Sequence, residues 1–216
     1  MSAERTGLSR RGRGRPRGSV LAVRIFVAGA SGVIGMHVVP LLAAAGHDVA
    51  AMTRSPDKVD ALRALGAEPV VCDVYESEAL RDAVVAFGPD LVMHQLTDLP
   101  DAERQLVEVG SANVRMRREG TANLLRAARA SGAPRLLVQS IAWQPAGDSG
   151  AAVAELERTT LDARGVVLRY GRFYGPGTWY EAKLPRPPRI RIDAAARRTV
   201  AALEAPSGLI EIVEDE

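Results

Sequence analysis

The sequence predicts an α/β fold built on a doubly wound parallel sheet. Short apolar runs of strand length alternate along the chain with longer stretches of helical periodicity. Glycines follow several helical stretches, at positions 46, 66, 88 and 132, where a left-handed residue commonly ends a helix. Strands joined by helices of this length form a parallel sheet covered on both faces. A chain of 216 residues suffices for one such domain.

The strands are predicted from short apolar runs bounded by polar or turn residues. In the first, Val23, Ile25 and Val27 alternate with other residues and directly precede a glycine-rich turn. The predicted strands are 23–27, 48–52, 68–72, 91–93, 135–139 and 166–169.

The segments between the strands show helical spacing of their apolar residues. In the last of them, Val153, Leu156 and Thr160 share one helix face. The predicted helices are 33–42, 56–65, 76–87, 103–130 and 151–163.

The turn after the first strand carries a glycine motif, with Gly29, Gly32 and Gly35 between a strand and a helix. The first glycine allows the chain to reverse, the second lets backbone approach a pyrophosphate, and the third lets the helix pack close to the sheet. The N–H groups at the helix start favour a bound anion. In this context the motif predicts a dinucleotide site.

The end of the second strand bears on which dinucleotide binds. NAD sites usually have an acidic residue there for the ribose 2′-hydroxyl, but this chain has Thr53, Arg54 and Ser55. An arginine can pair with a 2′-phosphate. The sequence therefore favours NADP(H) over NAD(H), and NAD(H) stays open because a solvated loop arginine is also common.

Composition excludes several classes of protein. The single cysteine, Cys72, cannot form an internal disulfide, which favours a reduced, cytoplasmic setting. The three histidines, His37, His47 and His94, lack the spacing of a metal site, so no metal is expected. No apolar run has the length of a bilayer span, so no membrane partner is expected.

The first 18 residues account for the positive net charge of +2, because they contribute +5 and the remaining chain −3. Arg13-Gly14-Arg15-Pro16 resembles the core of an AT-hook, and an arginine-rich leader is also typical of transit peptides. The favoured interpretation is a translation start near Val23, with 1–22 a disordered basic leader. Nucleic acid is then not an expected partner.

Seven stretches carry a family resemblance: GASGVIG at 29–35, TRSPDK at 53–58, CDV at 72–74, NVRMRREGTANLLRAARASG at 113–132, RLLVQS at 135–140, LRYGRFYGPGTWY at 168–180 and RIRIDAAARRTVAALEAPSGLIEIVEDE at 189–216. In this order they resemble the extended short-chain dehydrogenase/reductases, the NAD(P)-dependent epimerase/dehydratase proteins. The resemblance implies a Rossmann domain at 23–169. It also implies a reduced C-terminal substrate lobe at 170–216, packed on the same domain, with a strand, a helix and a short strand.

The resemblance also implies roles for individual residues. The cofactor-binding positions are Gly29, Ser31, Gly32, Val33, Ile34, Gly35, Arg54, Asp73, Val74, His94, Gln95 and Leu96. Ser140 is the polar group expected to hold the substrate oxygen, although Ile141 could match the family's serine instead. Asn113 matches an asparagine near the active site, and Tyr174 or Tyr180 is a candidate substitute acid.

This sequence departs most from the family at the catalytic pair. In Tyr-x-x-x-Lys, the lysine lowers the tyrosine pKa so that the phenolate exchanges a proton during hydride transfer. None of the four tyrosines in this sequence has a lysine four residues later. An alignment through Glu157 places Ser149 and Val153 at the positions of the pair. The segments 143–151 and 180–189 are also short for the family.

Three hypotheses for function follow. The first is an NAD(P)-dependent oxidoreductase or epimerase/dehydratase-like enzyme that acts on a nucleotide sugar or small carbonyl compound with a non-standard acid. The second is a catalytically silent NAD(P)-binding sensor, and the third a DNA-associated protein anchored by its arginine-rich leader. The family often dimerises through two long helices, here 103–130 and 151–163, so a homodimer is one expected arrangement.

Overall fold

The structure, a computed structural model, describes residues 22–98 and 110–214. Within them the strands are β1 Arg24–Ala28, β2 Asp48–Thr53, β3 Glu68–Val71, β4 Leu91–His94, β5 Arg135–Ile141, β6 Val166–Tyr170, β7 Arg172–Tyr174, β8 Arg189–Arg191 and β9 Gly208–Ile212. Seven of these form one sheet in the order β3-β2-β1-β4-β5-β6-β9, with every neighbouring pair parallel. The predicted α/β fold is confirmed.

The helices of the described residues are α1 Gly35–Ala44, α2 Val59–Ala64, α3 Ser77–Phe87, α4 Gly110–Arg115, α5 Thr121–Ser131, α6 Gly147–Asp162 and α7 Ile192–Ala201. A π-helical turn, Met116–Gly120, joins α4 to α5. Side chains of β1 alternate between two cores: Ile25 and Val27 pack with α1 and α7, while Phe26 and Ala28 pack with α3 and α5. The sheet is therefore covered on both faces.

The strand order reverses between β1 and β4, which are adjacent in the sheet. In doubly wound sheets, the carboxyl ends of the strands at such a reversal form the crevice in which ligands bind. The glycine loop, residues 29–35, follows β1 at this point.

Most predicted bounds differ from the observed ones by two residues or fewer, and two predictions need correction. Helix α6 begins at Gly147, four residues before the predicted start. A Cβ on Gly150 would lie 2.1 Å from the Pro145 carbonyl oxygen, so only glycine lets the preceding loop fold back onto this first turn. The helix predicted at 103–130 is described from Gly110 and is interrupted by the π-helical turn. Its residues 103–109, like leader residues 1–21, lie outside the described residues.

A small parallel pair, β7 with β8, stands apart from the main sheet. Arg172 is paired in register with Arg189, and Phe173 with Ile190. Phe173 also packs against the core to which Ile190 belongs. The β7 strand was not predicted, because three residues are too few to show a period. This pair brings the loop after β6 next to the segment that leads into α7.

Among the residues described, no helix combines the length and the apolar character that crossing a membrane requires.

Candidate cofactor site

The glycine loop has the close backbone contacts that its sequence predicts. Gly29 has a φ of +87°, and a Cβ there would lie 2.6 Å from the carbonyl carbon and oxygen of Gln95. A Cβ on Gly35 would lie 2.4 Å from the Gly29 carbonyl oxygen. Gly32 donates its N–H to the same oxygen at 3.1 Å, which closes the turn. Only glycines allow this loop to lie so close to β4 and to the start of α1.

The start of α1 has free hydrogen-bond donors. Ile34 is the N-cap residue and provides no side-chain cap, and the first turn contains no acidic residue. The backbone N–H groups of Ser31, Val33 and Ile34 donate no hydrogen bond to any group of the described residues. These donors and the positive end of the helix dipole together make an anion-binding position.

The end of β2 is joined to the glycine loop by side-chain hydrogen bonds. The hydroxyls of Ser31 and Thr53 are 2.8 Å apart, and the Thr53 hydroxyl accepts the N–H of Ser55 at 3.1 Å. Arg54 lies between Thr53 and Ser55 in the chain. Its side chain is largely exposed, and its guanidinium forms an ion pair with Asp98 at 3.1 Å. The loop therefore presents one arginine beside the start of α1.

The loop after β3 is held by a second set of contacts. Asp73 Oδ1 accepts the N–H of Tyr75 at 3.0 Å, and Asn123 of α5 donates to the Val74 carbonyl at 2.9 Å. Gly120, in the π-helical turn, packs directly against Val74. These contacts hold Asp73 and Val74 in a defined position near the second strand.

His94, at the end of β4, is buried in a single protonation state. Its Nδ1 accepts the N–H of Leu96 at 3.1 Å, so the ring proton lies on Nε2, 3.0 Å from the Thr121 hydroxyl. Burial lowers the pKa of His94 to about 4. The ring is therefore neutral at physiological pH and fixes the direction of the chain after β4.

This buried histidine predicts a pH dependence of stability. Unfolded His94 takes up a proton near pH 6.5, whereas folded His94 stays neutral down to about pH 4. Above pH 6.5 His94 is neutral in both the folded and the unfolded state and costs no stability, and as the pH falls towards 4 only the unfolded state gains the proton. The free energy of unfolding should therefore drop by about 2 kcal/mol between about pH 7.5 and 5. Urea denaturation at several pH values measures this drop. His94→Gln should flatten the profile in that range, and an unchanged slope would contradict the assignment.

Gln95 connects the glycine loop to α7 through a buried chain of hydrogen bonds. Its Nε2 donates to the Tyr170 hydroxyl at 3.3 Å, and that hydroxyl lies 2.7 Å from Thr199, which itself donates to the Ala195 carbonyl at 2.8 Å. Burial raises the pKa of Tyr170 to about 12, so its hydroxyl remains a neutral donor to Thr199. The Tyr170 hydroxyl is therefore used in a structural hydrogen bond.

Asn113 and the π-helical turn lie on the other side of the loop after β4. Asn113 Oδ1 accepts the N–H of Asp98 at 3.3 Å, and Asn113 itself is buried. Isolated π-helical turns inside α-helices are frequent at functional sites. Asn113 thus positions the residue that pairs with Arg54.

Ser140 lies at the end of β5 and donates its hydroxyl to Glu157 Oε1 of α6 at 2.6 Å. Arg169 donates two hydrogen bonds to the same carboxylate, at 2.8 and 2.6 Å. Burial acts to raise the pKa of Glu157, but the hydrogen bonds from Arg169 and Ser140 outweigh it and lower the pKa. A cavity of about 440 Å³ adjoins this cluster, and we call it the α6 cavity; its lining includes Trp143, Val153, Glu157 and Arg169.

Tyr174 ends β7 and borders a second cavity of about 340 Å³, here called the tyrosine cavity, together with Tyr180, Lys183 and Arg191. Its hydroxyl donates a short hydrogen bond to Glu214. That bond, burial and the Glu214 charge raise the pKa of Tyr174. The phenol is therefore protonated at neutral pH, and its proton is directed at a carboxylate.

The predicted cofactor residues lie around the carboxyl ends of β1, β2, β3 and β4. Ser140 lies on the neighbouring strand β5, bonded to Glu157, and Tyr174 borders the tyrosine cavity. Val153, at the position of the family's lysine, is buried and lines the α6 cavity. The sequence interpretation missed the partners Asp98, Glu157 and Glu214. Glu157 had a detectable signal, because it is a charge on an otherwise apolar helix face. In the ranges 22–98 and 110–214, no cluster of three metal-ligating side chains occurs.

Comparison with known proteins agrees with the glycine loop. Residues 29–163 match the family of NAD(P)H-binding domains. A 3-diazoavenalumate denitrifying reductase from a Streptomyces species is 39% identical over 238 aligned positions, which cover 90% of this chain and 77% of that relative. Because the aligned stretch is longer than the chain of 216 residues, the relative contains internal residues that this chain lacks.

Solved structures of epimerases share the fold. The chain superposes on the UDP-glucose 4-epimerase of Thermus thermophilus, solved with NAD, with a TM-score of 0.74 at 22% identity, over 89% of this chain and 78% of that one. It superposes on the UDP-Glc/GlcNAc 4-epimerase of Campylobacter jejuni with a TM-score of 0.75 at 14% identity and the same coverage. At these identities the likeness concerns the fold alone.

Proposed function

Because the chain belongs to the NAD(P)H-binding family of extended short-chain dehydrogenase/reductase-like proteins, we propose that it is an NADP(H)-dependent reductase of a small organic substrate. The observation that carries the proposal is that the N–H groups of Ser31, Val33 and Ile34, at the start of α1, donate to no group within residues 22–98 and 110–214. A diphosphate needs such donors, and the glycine contacts leave room for it to approach the backbone.

The residues of the chain fit a dinucleotide. The glycine loop holds the diphosphate, Arg54 pairs with a 2′-phosphate, and Asp73 with Val74 flanks the adenine. Gln95 and Leu96 border the opposite side of the loop. His94 fixes their position by accepting the N–H of Leu96. A bound nicotinamide supplies a hydride.

Arg54 provides a test of cofactor choice. Arg54→Gln should weaken NADPH binding by about tenfold or more, because a charge-assisted bidentate contact is lost, and should change NADH binding by less than about twofold. Quenching of the fluorescence of Trp143 and Trp179, the two tryptophans in the sequence, follows both titrations. Arg63→Gln is the matched control, because Arg63 is an exposed arginine paired with Asp60. An equal loss for both nucleotides would argue against a 2′-phosphate contact.

We propose that the substrate is one whose reduction needs no proton from a Tyr–Lys pair. The Streptomyces relative is by name a denitrifying reductase of a diazo compound. A diazonium carbon that accepts a hydride loses N₂ and becomes a C–H group, with charge and atoms balanced and no proton consumed. Reduction of a carbonyl group, in contrast, needs a proton on oxygen. A chain without Tyr-x-x-x-Lys is better suited to the first class.

Where a substrate does need a proton, Tyr174 is the proposed donor and Ser140 the proposed contact for the substrate oxygen. Tyr174 is protonated at neutral pH and borders the tyrosine cavity with Lys183 and Arg191. Tyr174→Phe should abolish turnover of aldehydes and ketones while it leaves turnover of aryl diazonium compounds within about threefold. Equal loss on both substrate classes would indicate a structural role for Tyr174.

A silent cofactor-binding protein is the second candidate. It is favoured by the two candidate hydroxyls, because Ser140 and Tyr174 both donate to carboxylates of the protein. Tight NADPH binding without oxidation of NADPH by carbonyl, nucleotide-sugar or diazonium substrates would select this candidate over the reductase.

A further inference from the structure

The ion pair between Arg54 and Asp98 joins two loops on opposite sides of the glycine loop. Arg54 directly follows β2, and Asp98 lies four residues beyond the end of β4. Strand β1 lies between β2 and β4 in the sheet, so the two strand ends are about 10 Å apart. The pair therefore crosses the carboxyl end of β1, where the glycine loop begins.

Asp98 is the more firmly held partner of this pair. Its side chain is 21% exposed, against 59% for Arg54, and its N–H is bound to the buried Asn113 at 3.3 Å. The negative charge of Asp98 also faces Tyr75 and contributes, after burial, to the raised pKa of that hydroxyl. Arg115, which packs over the Tyr75 ring, is itself paired with Glu119. Asp98 thus places a carboxylate beside Arg54, where the adenosine ribose of the cofactor is proposed to bind.

A 2′-phosphate and Asp98 require the same guanidinium. An exposed ion pair contributes little to stability, whereas a phosphate dianion accepts two charge-assisted hydrogen bonds from an arginine. NADP(H) can therefore displace Asp98, but it binds more weakly than it would to a free Arg54. NAD(H) has no 2′-phosphate and leaves the ion pair intact.

We propose that Asp98 is a specificity-determining residue: its carboxylate occupies Arg54 across the glycine loop and so reduces the preference for NADP(H) over NAD(H). This inference rests on the proposed NADP(H) site. It places the acidic residue of cofactor selection after β4 and not at the end of β2, where Thr53 stands.

Calorimetric titration with adenosine 2′,5′-bisphosphate and adenosine 5′-monophosphate tests the proposal without any turnover. In Asp98→Asn, the affinity for the bisphosphate should rise about two- to fivefold, while that for the monophosphate should stay essentially unchanged. Asp57→Asn is the matched control, because Asp57 is an exposed acid three residues from Arg54 that pairs with Lys58. This control should leave both affinities within about twofold.

A double variant separates competition for Arg54 from direct repulsion. In an Arg54→Gln background, Asp98→Asn should change the bisphosphate affinity by less than about twofold, because no guanidinium remains to be released. A gain in that background as large as in the parent, an equal gain for both nucleotides, or no gain in Asp98→Asn overturns the proposal. If the parent protein binds neither nucleotide, the proposed cofactor site itself fails.

Discussion

Gly29→Ala is expected to lower the free energy of unfolding by about 2 to 5 kcal/mol and to abolish dinucleotide binding. Gly29 has a φ of +87°, which costs an alanine about 1 to 2 kcal/mol. The added Cβ would also lie 2.6 Å from the carbonyl carbon and oxygen of Gln95, so backbone must move, at a further cost of about 1 to 3 kcal/mol. The shift separates β1 from β4 where the cofactor loop begins.

Gly46→Ala is the matched control for this variant. Gly46 has nearly the same φ, +84°, but nothing lies within 4 Å of the position of its Cβ. It should therefore show only the conformational cost, about 1 to 2 kcal/mol, and retain full nucleotide binding. Urea denaturation and a nucleotide titration on both variants measure the difference. Equal losses would show that close approach to Gln95 is not what requires glycine at 29.

Glu157→Ala is expected to lower the free energy of unfolding by about 2 to 3 kcal/mol, less than the cost of breaking a fully buried ion pair, because the Arg169 side chain is 28% exposed. The Glu157 side chain is only 10% exposed, and it accepts two hydrogen bonds from Arg169 and one from Ser140. Without it, the Arg169 guanidinium faces the α6 cavity with no carboxylate from α6. The loss also removes the hydrogen bonds of Glu157 to the ends of β5 and β6.

Ser140→Ala removes a single neutral donor from the same cluster and should cost only about 1 kcal/mol. The two variants also differ in pH dependence. The folded pKa of Glu157 is lowered, so its stabilisation is present above its ordinary pKa of 4.5 and is lost as the pH falls below that value. Urea denaturation between about pH 7 and 3.5 should show a steeper loss below about pH 4.5 in the parent and in Ser140→Ala than in Glu157→Ala, because the loss that comes from His94 is common to all three. A parallel profile in all three would contradict the pair's contribution.

The elements of the sheet were predictable because their signals are local. A strand shows its period within four or five residues, and the helices α1, α3 and α5 end within two residues of the predicted positions, each within two residues of a glycine. The early start of α6 was missed because Gly147 and Gly150 are typical of a loop. Gly150 is needed there because the Pro145 carbonyl lies close to it, a contact that no periodicity shows.

The candidate site was only half predictable. The glycine loop is one contiguous motif, and its physical requirements can be derived from its own residues. The polar partners are distant in sequence: Gln95 and Tyr170 are 75 residues apart, and Arg54 and Asp98 are 44 apart. No local pattern connects such residues, because their proximity depends on which strands are neighbours.

By itself, the sequence determined the α/β class, the parallel sheet and the position of the glycine loop, since periodicity and glycine placement are properties of short segments. Only the tertiary structure decided which side chains form hydrogen bonds or ion pairs with one another. The order β2-β1-β4 brings Asp98 to Arg54, and the packing of α6 on β5 and β6 brings Glu157 to Ser140 and Arg169. The physical reason is that a hydrogen bond or ion pair acts over a few ångströms of space, whatever the separation along the chain.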